Sequence, residues 1–130
     1  MNVAAGDVYV VVHSLATPVL LALGDQVTGS LSFNGDDAIT LTKNAGATLL
    51  DAFGQVGVDP GTQWGAGLTS SLDHTLRRRT GPDTVATDPF DPAVEWSGYP
   101  IDTFDGLGFA DLGVIPADTQ SWSGIKALYR

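Results

Sequence analysis

Residues 33–64 read FNGDDAITLTKNAGATLLDAFGQVGVDPGTQW, and this stretch decides the fold. Apolar residues and threonines alternate over residues 38–43, which is the period-2 pattern of a half-buried strand. The turn signal Asn-Ala-Gly follows, and residues 47–53 then return as a second apolar strand. The sequence therefore predicts a β-hairpin, entered through the tight-turn dipeptide Asn34-Gly35 and followed by a glycine-rich loop.

The N-terminal part of the chain predicts a strand, a short helix and a second strand. Residues 8–12 read VYVVV, a β-branched and aromatic run that is typical of a strand buried on both faces. Residues 16–23 are apolar, and they open with Thr17 and Pro18, which suit the N-cap and the first position of a helix. We expect residues 27–33 to form a short strand that leads into the hairpin.

The sequence of the second half of the chain predicts one more strand, a loop and an amphipathic C-terminal helix. A strand is expected over residues 75–79, and residues 81–92, rich in proline and aspartate, are expected to form a loop. The apolar residues expected to cap one end of the core are Ile101, Phe104 and Leu107. Apolar residues at helical spacing over residues 120–129 predict a short C-terminal helix that docks on the core.

Composition limits the possible functions. The 130 residues are the usual size of one domain, and the absence of cysteine excludes disulfides and thiolate metal sites. The formal charge is −9, from 15 acidic and 6 basic residues, and such a field disfavours contact with phosphates. No apolar run approaches the ~20 residues that cross a membrane. The apolar residues 15–23 lack the preceding basic region of a signal peptide.

Several motifs in a fixed order resemble the bacterial branch of the lamin tail domain family. They are NGDDAI, a strand ending in Asp51, GQVGVDPGTQW, DHTLRRR, FDPAVEW and YPIDTFDGLG. The resemblance covers residues 6–108 and implies an all-β, immunoglobulin-like β-sandwich in a single domain, with residues 109–130 as a C-terminal extension. It also implies an accessory module of secreted bacterial proteins, extracellular nucleases among them, and hence an extracellular or cell-surface location.

The resemblance is incomplete at the N-terminus. Family members begin with one or two strands ahead of the strand that corresponds to residues 8–12, and only residues 1–7 precede it here. Either the sandwich closes differently, or an exposed sheet edge is covered by a partner chain. We expect self-association, because a second copy is the simplest cover.

One candidate metal site lies at the start of the hairpin. Asn34, Asp36 and Asp37 carry the amide and carboxylate oxygens that calcium prefers. Their spacing differs from that of an EF-hand loop, and adjacent residues on a strand point to opposite faces. The alternative is that one carboxylate accepts backbone hydrogen bonds in the turn while the other is solvated. No other cofactor is indicated.

The basic residues cluster at Arg77, Arg78 and Arg79, half of the chain's total. On a strand the outer two face one side and Arg78 the other, so at most two can act together. They are candidates for contact with an anion or a partner, since the guanidinium fork suits phosphates and carboxylates. The alternative is pairing with the chain's own aspartates.

Aromatic and histidine side chains complete the candidates. Trp64, Trp96 and Trp122 are expected to pack in the core or an interface, with a carbohydrate-stacking platform as the alternative. His13 and His74 have no Ser, Cys or second His at a spacing that indicates a triad or metal site.

These patterns together predict a protein without enzymatic activity. The first hypothesis is a binding or interaction module that acts through self-association or contact with another protein. The second is a module that binds calcium or carbohydrate through aspartate-rich loops and tryptophans. The third is a nucleic-acid adaptor of an extracellular nuclease, which rests on the family resemblance alone and is opposed by the negative charge.

Overall fold

The computed structural model describes residue 3 and residues 6–109. The chain divides into two compact units. The described part of unit 1 comprises residues 3, 6–29 and 106–109, and unit 2 comprises residues 30–105. Most of the regular structure is short strands in small sheets, with few helices, which confirms a β-rich fold. The predicted C-terminal helix, including Trp122, lies outside the described residues. The single-domain assignment stays a prediction.

Unit 1 contains a parallel pair of strands joined through a helix. Strand β1 (Val11–His13) pairs with β2 (Gln26–Thr28), and helix α1 (Pro18–Leu23) lies between them in the chain. The helix ends before Gly24, and a Cβ atom added there would lie 2.8 Å from Val12 Cγ2. A glycine is therefore needed where the end of the helix meets the strand.

Two predictions for unit 1 are corrected by the structure. The segment VYVVV is buried on one face only, because Val10 and Val12 are buried while Tyr9 and Val11 are exposed. Its only strand partner among the described residues is the three-residue β2, and strand propensity alone does not determine which faces are covered. The strand predicted over residues 27–33 is also shorter, since β2 ends at Thr28.

Unit 2 is organised around the predicted hairpin. Strands β3 (Ile39–Lys43) and β4 (Thr48–Phe53) pair antiparallel, with a bulge beside the step from Leu41 to Thr42. The turn has positive φ angles at Asn44 (55°), Ala45 (53°) and Gly46 (90°), which the Asn-Ala-Gly sequence tolerates. The hairpin is confirmed. The prediction that β3 is half-buried is wrong, because all five of its residues are exposed.

A second antiparallel pair forms the other half of unit 2. Strand β5 (Thr75–Arg78) pairs with β6 (Trp96–Tyr99), and a one-turn helix α2 (Pro92–Glu95) leads directly into β6. The predicted loop is irregular as far as α2, which begins at Pro92. A 3-10 turn (Gly67–Thr69) packs so closely on β6 that a Cβ atom on Gly98 would lie 1.8 Å from Leu68 O.

The core of unit 2 contains an aromatic cluster formed by residues of β4, β6 and two loops. Phe53 of β4 contacts Phe90 and Trp96 edge-to-face, with ring centroids 4.8 and 5.3 Å apart. Trp64 packs against Phe90 at 5.6 Å. Such offset contacts match the quadrupoles of the rings. Three apolar residues were expected to cap one end of the core, but two of them, Ile101 and Leu107, are exposed.

Candidate functional site

Arg78 is the best-connected charged residue described in unit 2. Its Nη2 donates to Asp51 Oδ1 and to Ala52 O, both at 2.7 Å, and its Nη1 donates to Glu95 Oε2 at 2.8 Å. The side chain is 14% exposed, and its guanidinium lies over the Trp96 ring, 4.4 Å from the centroid. These contacts and a further one from Nη1 to Gly81 O engage both Nη groups, while Nε is buried without a hydrogen-bond partner among the described residues. Arg78 therefore acts as a link between segments of the chain.

The other two arginines are directed to different places. Arg77 pairs with Asp105 Oδ1 at 3.0 Å and stacks on Tyr99 at 4.4 Å, on the sheet face opposite Arg78. Arg79 Nη2 donates to Ala93 O and Val94 O near the end of α2, at 2.7 and 3.0 Å. The three guanidinium groups therefore do not converge on one anion site.

The candidate metal residues form a hydrogen-bonded turn ahead of β3. Asn34 N donates to Asp37 Oδ2 at 3.0 Å. With the Asn34 amide turned to satisfy its neighbours, Nδ2 donates to the same oxygen at 2.9 Å and also to Asp36 Oδ1. In this orientation the amide presents donors to the two carboxylates, whereas in the opposite orientation its oxygen faces them, as that of a calcium ligand would.

An open groove of about 470 Å³ runs beside this turn. It is lined by Asp36 and Asp37 from the turn and by Val56, Val58 and Asp59 from the loop that follows β4. Asp59 Oδ1 accepts from Gly61 N at 2.7 Å, the local hydrogen bond of an Asx turn. Among the described residues, no cluster of three or more histidine, cysteine or acidic side chains is arranged to hold a metal ion.

Two of the three tryptophans lie within the described chain, and both pack inward. Trp64 is 5% exposed, and its Nε1 donates to Asp37 O at 3.0 Å, which ties the acidic turn to the core. Trp96 is half-buried between Phe53 and Arg78. Trp64 is thus buried, and one face of the half-buried Trp96 ring is covered by Arg78. Their assignment as core or interface aromatics stays a prediction.

One polar pair was missed by the sequence analysis. Ser70 Oγ lies 2.8 Å from His74 Nδ1, and the same nitrogen lies 2.8 Å from Leu72 O. The spacing of four residues between serine and histidine was a signal that could have revealed the pair. Ser70 is only 2% exposed, so its hydroxyl is not open to a substrate. His13 Nδ1 accepts a hydrogen bond from Leu15 N at 3.1 Å, a contact that holds the turn after β1.

Strand β3 is the most open regular element of unit 2. Ile39 is 40% exposed and Leu41 is 61% exposed, whereas the paired strand β4 is half-buried or buried throughout. In the part of the chain that the structure describes, β4 is the only strand that pairs with β3. Within residues 6–109, the outer backbone edge of β3 is therefore paired with no strand, and it lies beside two exposed apolar side chains.

Comparison with protein-family models, with curated proteins and with solved structures finds no match to this chain. Among the described residues, no helix is long and apolar enough to cross a membrane.

Proposed function

We propose that the protein is a non-catalytic interaction module that assembles through the outer edge of strand β3. The observation that carries the proposal is the exposure of all five residues of a strand with only one strand partner among the described residues. An open edge of this kind is a template for another strand, since pairing satisfies its backbone groups. We further propose that this protein has the immunoglobulin-like β-sandwich fold of lamin tail domains. We also propose that it acts outside the cell.

The energetics of a hairpin also favour an additional strand. Two-stranded sheets are marginal in water, and a third strand adds a ladder of hydrogen bonds together with cross-strand side-chain contacts. The surface that a strand of five residues can bury is small compared with the roughly 800 Å² that each partner buries in a standard interface. We therefore expect weak, concentration-dependent association.

The test is molar mass by light scattering over a dilution series that reaches about 1 mM, a range suited to weak association. Leu41→Asp places a charge on the exposed strand, and we expect it to weaken assembly by at least about tenfold because that charge would be desolvated. The matched control is Val94→Asp, which makes the same charge change at an exposed position of α2. A wild-type protein that stays monomeric throughout, or variants that behave alike, would contradict assembly through β3.

The calcium alternative keeps one supporting observation, which is that Asp36, Asp37 and Asp59 all line the same open groove, although the described residues are not grouped closely enough to hold a metal ion as they stand. A ligand that binds only the folded protein raises its melting temperature. An increase in Tm on adding millimolar calcium, abolished by Asp37→Asn, would favour this function over assembly through the strand.

A further inference from the structure

Charge is distributed unevenly along the exposed strand. Asp36 and Asp37 directly precede β3, and Lys43 is its last residue, with only uncharged residues in between. A strand that is acidic at one end and basic at the other is complementary to a second copy of itself in the opposite direction. We propose that the partner of β3 is β3 of a second copy of this chain, paired antiparallel about Thr40. This inference rests on the proposed function and adds the partner and the register.

The register follows from matching side chains on each face. With Thr40 opposite Thr40 of the second copy, Ile39 faces Leu41 and Asp37 faces Lys43. Opposed residues in a sheet share a face, so one face carries two apolar pairs flanked by two ion pairs. The other face carries the threonine pair, which is also a favourable cross-strand contact.

Other arrangements are less complementary. Parallel, in-register pairing would set Asp37 beside Asp37 and Lys43 beside Lys43, and opposed like charges destabilise a sheet. A slip of one residue in the antiparallel arrangement would place Leu41 opposite Thr40 and mix the apolar and threonine faces. The centre at Thr40 is the register that pairs both charges and keeps each face uniform.

The protein has no cysteine, so single cysteines report this register cleanly. Directly opposed residues have Cα atoms about 4.5–5.5 Å apart, within disulfide range, whereas diagonal neighbours lie about 7–8 Å apart. Thr40→Cys should therefore form a covalent dimer under mild oxidation. Ile39→Cys and Leu41→Cys should cross-link mainly to each other when mixed, with one variant tagged to identify the mixed dimer. Val94 is exposed on α2, so Val94→Cys gives the rate of cross-linking by random collision.

A charge exchange tests the same register without cross-linking. Lys43→Asp should raise the dissociation constant roughly 2- to 30-fold, because two cross-strand ion pairs are lost per dimer. Combining it with Asp37→Lys should restore the constant to near the wild-type value, since the exchanged charges pair again.

The outcomes separate this inference from the proposed function. If Ile39→Cys and Leu41→Cys each cross-link alone as fast as Thr40→Cys, the pairing is parallel and the inference fails. It also fails if Thr40→Cys is no faster than Val94→Cys or if the charge exchange restores nothing. In each of these cases, the proposed interaction function would still be supported if the wild-type protein assembles and Leu41→Asp weakens that assembly.

Discussion

At the side chain of Arg78, two distant segments of unit 2 and a neighbouring loop meet strand β5. Its guanidinium binds Asp51 on β4, Glu95 on α2 and the carbonyl of Gly81 in the following loop. Asp51 Oδ1 also accepts from Asp83 N at 2.8 Å, so the same carboxylate holds the loop. A buried ion pair adds little net stability over an apolar replacement of both partners, but removing one partner leaves the other charge uncompensated.

Asp51 is 32% and Glu95 is 29% exposed, so the ion pairs of Arg78 are only partly buried. We therefore expect Arg78→Met to lower the free energy of unfolding by about 1–3 kcal/mol, between the values for exposed and for fully buried pairs. The matched control is Arg77→Met, whose ion pair with Asp105 is exposed and should cost less than about 1 kcal/mol. Urea denaturation monitored by tryptophan fluorescence measures both changes. Equal losses in the two variants would show that Arg78 does not hold the segments together.

Among the elements, the closest approach is that of β6 to the 3-10 turn. A Cβ atom on Gly98 would lie 1.8 Å from Leu68 O and 2.7 Å from Thr69 N. Because the atoms in the way belong to the backbone, the two segments would have to separate.

Gly98→Ala should therefore lower the free energy of unfolding by about 1–3 kcal/mol or more, the usual range for overpacking. Gly81→Ala is the matched control, since its added Cβ would meet nothing within 4 Å and the substitution should be close to neutral. Thermal unfolding of the two variants side by side is the measurement. A Gly98→Ala protein as stable as the control would contradict the close packing of these elements.

For the molecule as a whole, net charge opposes the association that we propose. Each copy carries a formal charge of −9, so two copies repel one another, while the proposed dimer gains only two cross-strand ion pairs. Salt screens both effects, but the repulsion involves many more charges and acts over a longer range.

We expect the dissociation constant of the dimer to fall as ionic strength rises from about 0.01 to 0.15 M, where the Debye length shortens from about 30 to 8 Å. Light scattering at the two ionic strengths, with the same protein concentrations, measures the change. A dissociation constant that rises with salt would mean that local ion pairs dominate the association.

The sequence alone determined the elements that depend on local interactions. The hairpin was predictable because Asn44, Ala45 and Gly46 accept the backbone of the turn and the flanking residues alternate. The positions of α1 and β5 were also predicted, α1 from the Thr17-Pro18 pair and β5 as a strand over residues 75–79. These signals act over a few residues, so no knowledge of the remaining chain was needed.

Only the tertiary structure decided which faces are buried and which charges are paired. Tyr9 and Val11 have strong strand propensity, yet they are exposed because burial depends on what packs against them. Arg78 finds its acidic partners 27 and 17 residues away, at separations that no local spacing rule covers. The exposure of β3, on which the proposed function depends, was missed for the same reason. Alternation shows that a strand has two different faces, but only packing determines whether either is covered.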